Sequence, residues 1–304
     1  MMTTRRTISR PRLLRSLVTV VALVACTLTL LAAGATAAAA AAQCIPAELP
    51  SGKAPKPTSF AEFLSPEVWT VTTYRAEVTA ASATGPTAQV SEGKPTKIAA
   101  TMYGRDGWIA QDIIYLPDGK ADRKIIYQRT ADEGPNEGVI YYSGNNVILT
   151  RETIAVTIGD DGNAVVVRTL TSAGGDLLEV HTIAHDDHGW EVLHTVADAA
   201  GLVTQVITTV RREDGRPTLI EVRDGAGALV SKTTRAYNDA GELITETVWT
   251  PEEVIISTFE SDIDHNWIVK RNYRVVPVEA AVGGQGATKQ EPIDVIYREI
   301  SAYG

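Results

Sequence analysis

Six glycines keep step through the second half of the chain. Gly175, Gly189, Gly201, Gly215, Gly227 and Gly241 stand 14, 12, 14, 12 and 14 residues apart, so every second one is 26 residues on. Each interval holds a polar-flanked run rich in Val, Ile, Leu and Thr. Turn residues at a fixed beat between β-prone runs are the mark of a repeated antiparallel hairpin. The turns share more than glycine: Asp186-Asp187-His188-Gly189, Asp198-Ala199-Ala200-Gly201 and Asp224-Gly225-Ala226-Gly227 all read D-x-x-G. The Asp can accept backbone N–H bonds within the turn, and the glycine supplies a positive φ. In Asp262-Ile263-Asp264-His265 a histidine stands where the glycine should, and Pro251-Glu252-Glu253 makes the turn between that copy and Gly241.

Strand patterns also precede the ladder. From Val68 onward alternating runs are broken at Gly85-Pro86, Glu92-Gly93, Asp106-Gly107, Pro117-Asp118-Gly119, Gly134-Pro135, Gly144-Asn145-Asn146 and Asp160-Asp161-Gly162-Asn163. The reading is an all-β, up-and-down antiparallel hairpin-repeat sheet. About sixteen strands in that order are too many for a flat sheet, so it should curl, close or spiral. Within Leu202–Val210 neither face is strictly apolar: Leu202, Val206 and Val210 share one with Thr204 and Thr208, while Val203 and Ile207 share the other with Gln205 and Thr209. That suits a sheet partly wet on both sides. A transmembrane barrel needs a consistently apolar outer face with aromatic girdles, and Phe, Trp and Tyr together number only 18 of 304 residues.

Residues 1–42 read as an export signal, with five arginines ahead of an apolar stretch and then an alanine tract. Leu23-Val24-Ala25-Cys26 also fits a lipoprotein signal, with Cys26 lipidated; on either reading the protein leaves the cytoplasm. Residues 43–58, with four prolines, form a linker. The repeat domain is 59–304, opened by a capping box at Ser59-Phe60-Ala61-Glu62 that starts one short helix ending at Pro66. Removing five arginines takes the net charge from −9 to −14, which disfavours a nucleic-acid partner. Contact with a membrane is then expected only through a lipid anchor.

The fullest turn, Tyr237-Asn238-Asp239-Ala240-Gly241-Glu242-Leu243, reads Y-N-D-A-G-E-L. Over residues 158–275 the chain resembles the tyrosine–aspartate (YD) repeats of the RHS family, whose core is Y-D-x-x-G-x-L followed by a strand. It departs from that pattern in keeping the tyrosine at Tyr237 only and in its 26-residue period. The resemblance implies an extended β-sheet shell or spiral at the cell envelope and no catalytic residue.

Four of the five histidines fall within His181–His194. A hairpin centred on Asp187-His188 sets His181 and His194 face to face, so these two are the candidate metal ligands, with His185 too far along the strand to join them. The alternative is a polar cross-strand pair. Asp160-Asp161-Gly162-Asn163 lacks the ligand spacing of known calcium loops and reads as an acidic turn. The mature chain holds no G-x-S-x-G, H-E-x-x-H, P-loop or dinucleotide fingerprint. No catalytic residue and no cofactor are therefore assigned. Trp108, Trp190, Trp249 and Trp267 sit just after turns and offer either stacking surfaces for sugars or cross-strand packing. The expectation is an exported structural or binding module of the periplasm, cell envelope or exterior, without catalysis, whose partner is an envelope protein or glycan. The alternatives are a periplasmic carrier of an apolar ligand or lipid, and an outer-membrane β-barrel.

Overall fold

The computed structural model describes residues 68–81, 90–129, 137–277 and 288–302. The export segment with Cys26, the linker and the short helix expected before Pro66 lie outside them. The described residues form seventeen strands and no helix. The first five are β1 (Val68–Ala81), β2 (Val90–Glu92), β3 (Thr96–Tyr103), β4 (Ile109–Tyr115) and β5 (Ala121–Gln128). There follow β6 (Gly138–Ser143), β7 (Ile148–Ile158), β8 (Ala164–Ser172), β9 (Leu177–His185), β10 (Glu191–Asp198) and β11 (Val203–Arg211). The last six are β12 (Pro217–Asp224), β13 (Leu229–Tyr237), β14 (Leu243–Trp249), β15 (Val254–Ser261), β16 (Trp267–Pro277) and β17 (Thr288–Ala302).

The glycine ladder builds one kind of hairpin. At Asp198–Leu202 the Gly201 N–H bonds the Asp198 carbonyl at 2.9 Å, and the Asp198 N–H bonds the Leu202 carbonyl at 2.9 Å. This is a type I turn closed by a left-handed glycine in a one-residue bulge. The Asp198 carboxylate caps it, accepting the N–H groups of Ala200 and Leu202 at 2.9 Å each. Asp186, Asp224 and Asp262 repeat the arrangement. All six ladder glycines have positive φ, and His265 takes the same conformation at φ 64°. The sequence pattern thus fixes the turn type, and the bulge in each turn shifts the register of the strands that it joins.

The sheet closes rather than spiralling. Strands β3 to β17 run up and down in order, and β1 bridges the ends: Thr70–Arg75 pairs with β3, while Val68–Glu77 pairs with β17. All these pairings are antiparallel, giving a barrel of sixteen strands with β2 as a short addition against the far end of β1. Cα partners in an antiparallel sheet share a face, so the register traces each face around the wall. Glu152, Glu246 and Asp294, exposed by only 4, 7 and 6 %, lie on one face with Val71, Tyr103, Val139, Val166, Ile183 and Val196. The other face carries exposed Thr153, Thr204, Thr208 and Thr234. The first face lines the interior and the second forms the outer wall.

Where the barrel closes, the wall is buried on both sides. Val71 and Asp294 are covered within, and Ala76, Tyr273 and Val295 without. Beside this seam Val68, Val71, Tyr103 and Ile109 form an apolar cluster backed by Tyr127 and Ile300. The cluster sits at the rim that bears the β3–β4, β9–β10, β11–β12, β13–β14 and β15–β16 turns, called here the first rim.

Candidate functional site

Two regions of the interior gather polar side chains. The first is a belt along the wall. Glu152 accepts Tyr141 Oη at 2.9 Å and Arg168 Nη2 at 2.9 Å, and its second oxygen is bonded by Arg168 Nε. Burial, and then Glu152, push the Tyr141 hydroxyl up to about 12. Asp112 accepts Thr101 Oγ1 at 2.6 Å and Tyr127 Oη at 3.0 Å. Across the seam Asp294 is held by Arg75 at 2.6 Å and Asn272 at 2.6 Å, and Asn272 accepts Ser257 Oγ at 2.7 Å. These groups satisfy one another, as buried polar groups must.

The belt includes both candidate metal ligands. His181 Nδ1 lies 2.9 Å from His194 Nε2, close enough for one ring to donate to the other. They are not face to face: His181 is opposite Val196 and His194 opposite Ile183, so the rings meet on the diagonal. The cause is the register shift between Glu191 and Leu193, which a symmetric hairpin omits. Glu179 reaches His181 Nε2 at 3.2 Å and Glu191 lies 3.6 Å from His194 Nδ1, giving a chain of two imidazoles between two carboxylates. His185 stands apart against the Ala164 carbonyl at 3.2 Å. Burial, then the neighbouring His194 and Arg168, hold His181 below its ordinary pKa, and burial does the same to His185. Among the described residues, three metal-binding side chains converge only at Asp186, Asp187 and His188. That group lies in a turn, where Asp186 Oδ1 already takes two backbone N–H groups.

The second region is a cavity of about 340 Å³ at the first rim. Its wall comes from β13 to β17 and three turns, and brings together Arg216, Arg235, Lys270 and Arg298 with Glu246 as the lining carboxylate. Arg235 Nε reaches Glu246 Oε2 at 2.7 Å and Lys270 Nζ reaches Oε1 at 2.9 Å. Burial raises the Glu246 carboxyl, but Lys270 and Arg235 outweigh it and hold the group below its usual range. Arg216 is engaged by Asp214 at 2.9 Å. Aromatic rings complete the wall. The Arg298 guanidinium stacks 3.8 Å over Trp267, Trp267 meets Phe259 edge-on at 5.5 Å, and Lys270 stands 5.3 Å over Phe259.

Sequence reasoning missed this cavity. Its residues run from Arg216 to Arg298 and converge only through strand pairing. Of the four turn-flanking tryptophans, Trp267 lines it and Trp190 packs on the Gly215 turn. Trp249 departs from the expectation that it follows a turn: it ends β14, and the Thr250–Glu253 turn comes after it.

Fold and interior define the class: a closed antiparallel β-barrel with a polar lining. Comparison with protein-family models finds no match, and comparison with curated proteins finds none. Among solved structures, a porin-like protein from Bacteroides uniformis superposes with a TM-score of 0.28 at 11 % identity, over 77 % of this chain and 98 % of that one. The toxin complex TcdB2-TccC3-TEV gives a TM-score of 0.19 at 11 % identity, over 66 % of this chain and 15 % of that one. At such scores these likenesses assign neither family nor function.

Proposed function

We propose that the protein is an exported β-barrel of the cell envelope that acts as a binding module without catalysis, with water on both sides of its wall. One observation carries this reading: charged side chains stand on the outer face in the middle of strands. They include Lys124 on β5, Glu221 on β12 and Arg271 on β16, while Arg151 and Lys232 stand on the same face nearer the rim, opposite Thr171 and Trp249. A Lys or Arg facing lipid at the bilayer midplane costs about 2–4 kcal/mol. Lys124 and Arg271 alone would cost about 4–8 kcal/mol there, a large share of a net folding stability of about 5–15 kcal/mol. Lys232 and Arg271 instead pair along the wall with Glu221 and Glu260, as on a wet sheet. Export is supported by the character of residues 1–42.

The second reading is an outer-membrane barrel, favoured by the complete closure of sixteen antiparallel strands. Exposed apolar side chains also collect near the rim opposite the cavity, among them Leu116, Val147, Leu149, Leu178, Leu202 and Trp249. Envelope fractionation of the full chain and of Cys26→Ala separates the two. The water-facing barrel leaves Cys26→Ala in the soluble envelope fraction, with gel mobility unchanged by heating. Retention in carbonate-washed membranes together with heat-modifiable mobility would select the membrane barrel.

A further inference from the structure

We propose that the cavity at the first rim is a binding site for a small organic anion, a carboxylate or phosphate group borne on a ring. Lys270, Arg235 and Arg298 would receive the charge and Trp267 and Phe259 the ring. The inference rests on the binding-module reading and names the ligand of that site.

Charge is the first argument. The chain is acidic overall, at −9, yet among the described residues the cavity is lined by Arg216, Arg235, Lys270 and Arg298, with Glu246 as the lining carboxylate. Glu246 is shared by Arg235 and Lys270, so a single negative charge sits between two positive ones. Asp214 accounts for Arg216. A surplus of positive charge remains around Lys270, and an anion supplies what balances it.

Access and size are the second. The side chains of Lys270 and Arg235 keep 21 and 28 % of their surface open, so a ligand can reach them without the wall parting. At about 30 Å³ per water in the liquid, the cavity holds roughly eleven waters, enough for one ring and its acidic group. It also lies within the range usual for small-molecule sites.

The chemistry of the wall is the third. Phe259 and Trp267 set apolar area beside the cations, which suits a ring carrying a charge better than a bare inorganic ion. The anion could arrive as a free metabolite or as the headgroup of an envelope lipid or polymer.

The test is thermal-shift and calorimetric titration of the full chain at low salt. The probes are glucose 6-phosphate and benzoate, their neutral counterparts glucose and benzyl alcohol, inorganic phosphate, and vesicles containing phosphatidylinositol, whose headgroup phosphate is borne on a ring. The expected result is binding of a ring anion that is at least about tenfold tighter than binding of its neutral counterpart. Lys270→Met should weaken that binding by about tenfold or more. The substitution leaves Glu246 paired with Arg235, so the fold keeps its buried charge matched. Arg298→Gln is the second variant, and Lys124→Gln on the outer wall should bind as the parent does. Saturation by soluble anions indicates a free ligand, and binding of vesicles alone indicates a headgroup. No binding of any anion, equal binding of the neutral compounds, or undiminished binding by both Lys270→Met and Arg298→Gln would overturn the proposal. Those outcomes leave the fractionation result untouched, so a failed ligand and a failed envelope barrel are told apart.

Discussion

A carboxylate 4 % exposed inside a β-wall persists only because its lone pairs are taken. Glu152 shows how: one tyrosine hydroxyl and two arginine nitrogens reach it. Removing the cation alone should strand the charge. Arg168→Met is expected to cost about 3–5 kcal/mol in urea unfolding. Glu152→Gln with Arg168→Met should recover at least half of that, since Gln still accepts from Tyr141; a double variant as unstable as Arg168→Met would show that the pair is not coupled. The histidines give a pH test. His181 and His185 have folded pKa values below the ordinary 6.5, so the unfolded chain takes up protons first. Their contribution is full above about 6.5 and is lost as the pH falls below it. The urea midpoint should therefore drop between pH 7.5 and 5.5, and His181→Gln with His185→Gln should flatten the drop. An unchanged slope would sink this assignment. The approach of His181 and His194 was legible in the sequence. Their diagonal geometry was not, because it depends on a bulge that adds one residue to a hairpin.

Turns are the element at which the sequence speaks most clearly. A D-x-x-G string specifies a carboxylate cap and a left-handed residue, and both are present where the string predicts them. What the string cannot carry is the neighbour of each turn. At Gly227, φ is +87° and a Cβ would meet nothing within 4 Å, whereas at Gly215, φ +85°, it would run into the Trp190 indole. Gly227→Ala should therefore cost only the left-handed penalty of about 1–2 kcal/mol. Gly215→Ala adds a collision with the indole and should lose distinctly more in thermal unfolding. Equal losses would mean that adjacent turns on the first rim do not pack on one another. The cation–π contact of Arg211 with Trp190 belongs to the same packing, and nothing local marks it.

For the whole molecule, the sequence supports a sheet that must bend but leaves its ends undecided. Strand order follows from turns, each a local signal. Closure depends on β1 meeting β17, residues more than two hundred positions apart, and no short pattern encodes that pairing. The cavity inherits the difficulty, since Arg216, Lys270 and Arg298 share a wall only after the register is set. The mixed Thr-rich faces are legible in the sequence, and the outer wall carries both threonines and charged side chains such as Lys124 and Arg271. Closure is the central claim and can be tested by cross-linking. Thr72 and Glu299 are Cα partners across the seam, and Thr258 and Arg271 are partners between consecutive strands. With Cys26 and Cys44 replaced by Ala, the cysteine pair Thr72→Cys/Glu299→Cys should oxidise to an intramolecular disulfide as readily as Thr258→Cys/Arg271→Cys, read by peptide mass. A disulfide that forms in the control pair but not across the seam would contradict a closed barrel.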